Sequence, residues 1–129
     1  MKKNIISLAF FLTIVLPSNL SANSFWNQFR GPNDGLAPDA KLPVEFSDTK
    51  NVQWRTPIHD LGWSSPVVWK KQVWVTTAKE DGSEVFAVCI NLETGKIIHD
   101  IKVFDVTKPQ NEWSHLNTHA TPTPVIEEG

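Results

Sequence analysis

The chain has 129 residues, with 14 acidic and 12 basic side chains, a net charge of −2, six tryptophans and one cysteine. This mildly acidic balance, without a stripe of Lys and Arg, argues against nucleic acid or an anionic membrane surface as a partner. A single cysteine also excludes a disulfide within the chain.

Residues 1–24 have the pattern of a signal peptide. Lys2 and Lys3 provide a positive start, residues 5–16 form an apolar run, and residues 20–24 supply the small side chains around a cleavage site. The apolar run is shorter than the roughly 20 residues that span a bilayer, so export is favoured over a membrane anchor. We therefore expect a periplasmic or secreted protein that has no membrane partner after cleavage.

Residues 25–50 are rich in Pro, Gly, Asn and Asp, which predicts an ordered but irregular lead-in. Trp26 and Phe29 are expected to hold it against the rest of the chain. Arg30 is a candidate binding residue, although a guanidinium stacked on Trp26 or bonded to backbone carbonyls is the alternative. The following residues, 51–58, are predicted to form a strand.

Residues 62–103 predict one four-stranded antiparallel sheet with the strand order of a meander. Turn material separates the β-rich runs, including an Asp81-Gly82 hairpin signal and a tight turn in which Gly95 is free to take a positive φ. The predicted strands are residues 66–69, 72–78, 84–92 and 97–103.

The apolar residues of these strands run continuously at residues 73–75 and 85–90, so both faces of the sheet are expected to be buried. Two packed sheets, or similar sheets stacked around an axis, would achieve this. Cys89 lies within the second run, which favours a buried small hydrophobe over a reactive thiol.

A repeat begins near the end of the sequence. Residues 64–71 align with residues 122–129, so that Pro66 corresponds to Pro124, 58 residues later. Propeller blades have periods of roughly 40 to 50 residues, and an insertion at residues 105–119 would explain the excess. The next strand of this second unit is missing, so we expect the 129 residues to be a truncated piece of a longer repeat protein.

Three motifs carry a resemblance to a known family, namely Ser-Ser-Pro-Val-Val at residues 64–68, the turn at residues 89–96, and residues 26–32. In these motifs the chain resembles the β-propellers of the pyrroloquinoline-quinone (PQQ)-binding-like repeat, a family that includes quinoprotein dehydrogenases and an outer-membrane assembly lipoprotein. Residues 89–96 look like the family's Ala-Leu-Asp-x-x-Thr-Gly-Lys turn, and residues 26–32 look like the start of the mature domain in secreted propellers from planctomycete-type bacteria. No cysteine lies near the cleavage site, unlike in a lipoprotein.

The resemblance implies an all-β fold, namely the N-terminal fragment of a β-propeller within residues 51–129. One four-stranded antiparallel blade would occupy residues 62–103, a loop residues 104–120, and the start of the next blade residues 121–129. The family turn normally ends with a tryptophan that docks on the neighbouring blade, and His99 stands at that position. Trp54-Arg55 resembles the Trp-Arg pair that usually closes the family's Thr-Gly-Lys turn, so Trp54 is predicted to be the docking tryptophan of a different blade.

The loop at residues 104–120 is the preferred site region, because binding residues tend to lie in loops on the face of a rigid scaffold. Trp113 is expected to fold over it. A helix would bring two of its histidines and Glu112 within reach of a metal, but Pro109 and the polar composition favour a loop, so no metal site is predicted. The candidate binding residues here are His115, Asn117 and His119.

The leading functional prediction is a secreted PQQ-like propeller that acts as a scaffold for an unknown ligand or protein. The alternative is a PQQ-dependent dehydrogenase whose catalytic blades lie beyond residue 129, with a carboxylate base and a calcium ion at the cofactor. The paired cysteines and the carboxylate and amide motifs of such enzymes are not found in this sequence, so neither catalytic residues nor a cofactor are predicted within it. A hydrolase has no support, because Gly-x-Ser-x-Gly and His-Glu-x-x-His are missing.

Overall fold

The computed structural model describes residues 25–32, 34–37, 40–110 and 115–128. These residues form one open antiparallel sheet of five strands and contain no helix, which confirms the all-β prediction. The order in the sheet follows the chain. The strands are β1 (Phe25–Trp26), β2 (Val67–Trp69), β3 (Gln72–Ala78), β4 (Glu84–Asn91) and β5 (Ile97–Asp105). The predicted signal peptide at residues 1–24, Glu112, Trp113 and Gly129 lie outside the described residues.

Two of the predicted tight turns are formed as their residues require. In the β3–β4 turn, Gly82 has a φ of +72° and donates its N–H to the carbonyl of Lys79 at 2.8 Å. In the β4–β5 turn, Gly95 has a φ of +70° and donates to the carbonyl of Asn91 at 2.9 Å. Both glycines adopt the left-handed backbone conformation, which is unfavourable for residues that have a Cβ.

The strand predicted at residues 51–58 is wrong, because this segment has no regular secondary structure and joins no ladder. Pro57 has no N–H to give to a ladder, and the segment is attached to the sheet chiefly by side chains. Conversely, the lead-in contains β1, which pairs with β2 and places Phe25 in a stack on Trp69, 4.4 Å between ring centroids. A two-residue strand is too short to show periodicity in the sequence.

One face of the sheet, here called the Trp54 face, contains the compact part of the core. The register places Val73 opposite Ile90 and Val75 opposite Val88. Val73, Val88 and Ile90 are buried, and Trp54 and Ile58 pack against them. Residues 52–61, the N-terminal strap, therefore cover this face.

The opposite face, the Trp74 face, is covered by residues 118–128, the C-terminal strap. Thr76 donates its hydroxyl to the carbonyls of Ala120 and Pro122, each at 3.3 Å. Cys89, opposite Trp74 in the register, is fully buried as predicted, and this burial raises the pKa of its thiol.

Burial of both sheet faces is confirmed only for the middle of the sheet. β4 is fully buried from Val88 to Ile90 but only half-buried from Glu84 to Ala87, and all nine residues of β5 are exposed. No strand forms within the described part of the predicted next blade, residues 121–128.

Candidate functional site

A groove of 470 Å³ opens between the Trp74 face and the C-terminal strap. β2, β3 and β4 form its floor, and the strap forms one wall. Its size lies in the range of roughly 300 to 1,000 Å³ that small-molecule sites occupy. The lining residues are Trp69, Gln72, Trp74, Val75, Thr76, Ala87, Pro124, Val125, Ile126 and Glu127.

Two tryptophans dominate the apolar lining, and neighbouring rings hold both in place. Trp69 is stacked on Phe25, and Trp74 is stacked on His99 with 6.1 Å between ring centroids. The indole N–H of Trp74 also donates to the side-chain oxygen of Gln72 at 3.1 Å. Both tryptophan side chains are therefore held in position before a ligand binds, which reduces the entropy lost on binding.

The polar lining consists of three side chains around this aromatic floor. Gln72 keeps its amide N–H₂ as a donor, the Thr76 hydroxyl lies at the strap, and Glu127 adds an exposed carboxylate. An apolar body with a donor and an acceptor matches such a lining. The arrangement suits binding, since the described lining contains no pairing of a nucleophile with a base.

The C-terminal strap is fastened at positions that the sequence repeat relates to one another. The backbone N–H of Ser65 donates to the hydroxyl of Thr123 at 3.0 Å, and the ammonium of Lys70 lies 3.1 Å from the carboxylate of Glu128. Both pairs are separated by 58 residues, the same offset as in the alignment. The two aligned segments thus run side by side in the same direction.

The N-terminal strap is fastened to the β4–β5 turn. The indole N–H of Trp54 donates to the carbonyl of Leu92 at 2.8 Å, and Gln53 donates to the carbonyl of Glu93 at 2.7 Å. The Trp54 ring lies so close to Gly95 that a Cβ there would be 2.6 Å from it. Thr56 adds a hydrogen bond to the Gly95 carbonyl.

The structure does not bring the four sequence-predicted binding residues together in the groove. Arg30 is exposed, and its guanidinium lies over Phe29, 5.4 Å from the ring centroid, not on Trp26. Phe29 is itself 58% exposed, so it does not hold the lead-in down as expected. Trp26 does hold the lead-in against the rest of the chain, because it belongs to β1 and pairs with β2.

The predicted loop begins at Val106, because β5 continues to Asp105. His115 and Asn117 are exposed, whereas His119 is half-buried with its ring against Gly82. Ala120, one residue later, accepts the hydrogen bond from Thr76 at the edge of the groove. The loop therefore leads into the groove wall, and a binding role for its residues stays a prediction.

A cluster around His59 was not predicted from the sequence. Its Nδ1 lies 2.6 Å from Asp60, its Nε2 lies 3.1 Å from Asp100, and its ring meets Phe86 edge-on at 4.8 Å. The hydrogen bond with Asp60, followed by that with Asp100, raises the pKa of His59. His59-Asp60 is visible as a dipeptide, but Asp100 lies 41 residues away and only the fold brings it close.

Within the described residues, no group of three or more His, Cys, Asp or Glu side chains is arranged to hold a metal ion. In the same part of the chain, no helix has the length and apolarity needed to cross a membrane. Comparisons with protein families, with curated proteins and with solved structures gave no match.

Proposed function

We propose that the chain belongs to a secreted, PQQ-like β-propeller repeat protein that acts as a binding or protein-interaction scaffold, with the groove as its ligand site. In this proposal β2 to β5 are one blade, and the C-terminal strap supplies the first segment of the next. The observation that carries the proposal is the register of the two aligned segments.

Successive blades of a propeller are copies of one sheet arranged around an axis, so equivalent segments lie beside each other. Ser65 with Thr123, and Lys70 with Glu128, are such equivalent positions and are in direct contact. A segment that crossed the sheet in an unrelated register would not place both contacts at the 58-residue offset of the sequence alignment.

The Trp54 contact supports the same proposal. The resemblance leads us to expect that Trp54 docks on a neighbouring blade, and Trp54 packs on Gly95 within the turn at residues 92–95. Trp54 itself lies outside the five strands, so its docking joins a segment that precedes the proposed blade to the β4–β5 turn.

The groove lies at the junction of the proposed units, where ligand sites often form between rigid elements. Its aromatic floor and its three polar side chains suit a small planar ligand that both donates and accepts hydrogen bonds. Benzamide, an aromatic primary amide, is a suitable probe, because its ring would lie against Trp69 or Trp74 while its amide meets Gln72 and Glu127.

The test is titration of the full chain with benzamide, followed through the indole N–H signals of ¹⁵N-labelled tryptophan. We expect saturable shifts of the Trp69 and Trp74 signals, with the Trp54 signal unchanged. Ala87→Leu, which fills the groove floor, should abolish the shifts. Ala40→Leu, at an exposed site in the lead-in, is the matched control and should leave them intact.

Shifts confined to Trp54, or equal shifts in wild type and Ala87→Leu, would refute the groove as a ligand site. The blade register is tested separately by the cross-linking experiment described in the Discussion.

A further inference from the structure

β5 is an edge strand with an unusual apolar content. It is nine residues long and pairs with β4 on one side, and no described strand pairs with its other side. Long, apolar, unpaired edges readily add another strand. Its large apolar side chains are between 43% and 62% exposed: Ile97, Ile98, Ile101, Val103 and Phe104.

The sequence of β5, Ile-Ile-His-Asp-Ile-Lys-Val-Phe-Asp, is self-complementary about Ile101. In an antiparallel pair of two identical strands centred there, Asp100 of each copy lies opposite Lys102 of the other. The two Ile101 residues face each other. Opposite charges and apolar pairs directly across a ladder stabilise a sheet, whereas like charges destabilise it.

We propose that β5 pairs antiparallel with β5 of a second copy of this chain, about a two-fold axis at Ile101. Such a contact is isologous and closes at a dimer. The resulting sheet is continuous through both copies.

The faces of the sheet agree with this pairing. Asp100 and Lys102 lie opposite Val88 and Phe86, so both point to the Trp54 face. Ile101 lies opposite Ala87 and points to the Trp74 face. The charged pairs and the apolar contact at the axis therefore form on opposite sides of the joined sheet.

Register shifts in the β4–β5 ladder limit the extent of the contact. They fall between Val85 and Phe86 and between Cys89 and Ile90, which leaves Ile98 and Val103 without partners on β4. The backbone of β5 is regular between these two residues, so the pairing is centred there. The bulges also twist both ends of the edge and so disfavour a longer, unspecific ladder.

Two ion pairs within the chain must break when the contacts with the second copy form. Asp100 lies 3.1 Å from His59, and Lys102 lies 2.7 Å from Asp105. These side chains are substantially exposed, and exposed ion pairs add little stability, so exchanging them for contacts with the second copy costs little.

Charge reversal tests the register, with sedimentation equilibrium of the full chain as the measurement. Asp100→Lys and Lys102→Asp each place like charges opposite each other twice, and each should weaken the dimer about tenfold or more. An equimolar mixture of the two variants restores opposite charges at both sites and should dimerise like the wild type. Glu80→Lys and Lys41→Asp, exposed sites with the same charge changes, are the matched controls and should not alter the dimer.

Cysteine cross-linking tests the position of the axis. Ile101→Cys brings two thiols opposite each other, within the Cα separation that a disulfide spans, and should give a cross-linked dimer under mild oxidation. Ile98→Cys is similarly exposed but lies about 20 Å from its symmetry mate in this register, so it should remain uncross-linked. The native Cys89 is fully buried and does not compete.

A wild-type chain that stays monomeric up to the highest concentration measured would overturn the proposal. So would a mixture of the two charge variants that associates no better than either alone, or cross-linking of Ile98→Cys in preference to Ile101→Cys. Circular dichroism of each variant shows whether a loss of dimer reflects a loss of the fold. The selective rescue in the mixture does not depend on that distinction.

Discussion

Gly95 combines two requirements in one residue. Its φ of +70° disfavours side chains with a Cβ, and the Trp54 ring occupies the space that a Cβ would enter. The N-terminal strap therefore depends on a glycine 41 residues away from the tryptophan that it contacts.

Gly95→Ala should destabilise the docked strap by about 1 to 3 kcal/mol, because a non-glycine residue in the left-handed region is strained and its methyl group displaces Trp54. Tryptophan fluorescence during urea unfolding measures the effect. Gly35→Ala is the matched control, since Gly35 has a φ of +89° but its nearest neighbour, Arg30, lies 3.8 Å from the added Cβ. If both variants unfold alike, the contact with Trp54 does not contribute.

His59 makes the stability of the fold dependent on pH. Its pKa in the folded chain is raised above the ordinary value of 6.5, chiefly by the hydrogen bond with Asp60 and then by that with Asp100. The protonated imidazole thus stabilises the fold fully below pH 6.5. This contribution is lost as the pH rises through the higher pKa of the folded state.

His59→Gln should therefore reduce the free energy of unfolding below pH 6.5 and have a smaller effect at pH 8 and above. The loss should not exceed about 1 kcal/mol, because the His59 side chain is 36% exposed and exposed ion pairs are screened by solvent. Urea unfolding of both proteins from pH 5 to pH 9 gives the difference at each pH. A difference that grows with pH would contradict the assignment.

At the scale of elements, the C-terminal strap is the segment whose position depends most on distant contacts. It forms no strand, yet Ser65 and Thr123 bring it alongside the start of β2. Its backbone also meets the lead-in, where Ile126 donates to the Asn27 carbonyl at 2.9 Å and accepts from the Asn27 amide at 3.1 Å.

Ser65→Cys with Thr123→Cys should form a disulfide on oxidation, because the two positions are in contact. Closing a loop of this length should stabilise the chain by about 4 kcal/mol in the chain-entropy account. Non-reducing electrophoresis and urea unfolding measure the two effects. Ser65→Cys with Val125→Cys, shifted by two residues, is the control, and equal cross-linking of both pairs would show that the strap has no fixed register.

The strands and turns of the meander were predicted well because their signals are local. Asp81-Gly82 and Gly95 reverse the chain direction between neighbouring strands through their backbone conformation alone. The sequence predicts a strand at residues 51–58 because a partly apolar segment has the same pattern whether its backbone or its side chains attach it to the sheet. β1 was missed because two residues carry no periodic pattern.

At the scale of the whole molecule, the small core limits the stability of the fold. Within the described residues, seven apolar side chains and Thr77 are buried, and fifteen large hydrophobic residues are exposed. Small cores give small stabilities, because burial must offset the entropy of ordering the entire chain.

We therefore expect a broad urea transition with an m-value below about 1 kcal/mol/M for the full chain, and association that increases with concentration. Fluorescence and sedimentation over a range of protein concentrations are the measurements. A sharp cooperative transition of a monomer, with an m-value of about 1 kcal/mol/M or more, would contradict this expectation.

The sequence by itself determined the all-β class, the three hairpins from β2 to β5 and the burial of Cys89, because turn residues and apolar runs act over a few neighbouring positions. Only the tertiary structure decided that the N-terminal strap covers one face and the C-terminal strap the other. It also decided the groove between Trp69, Trp74 and Glu127 and the approach of Asp100 to His59. These features join residues that are tens of positions apart, and the choice among such partners depends on shape and on which surfaces remain uncovered once the sheet has formed.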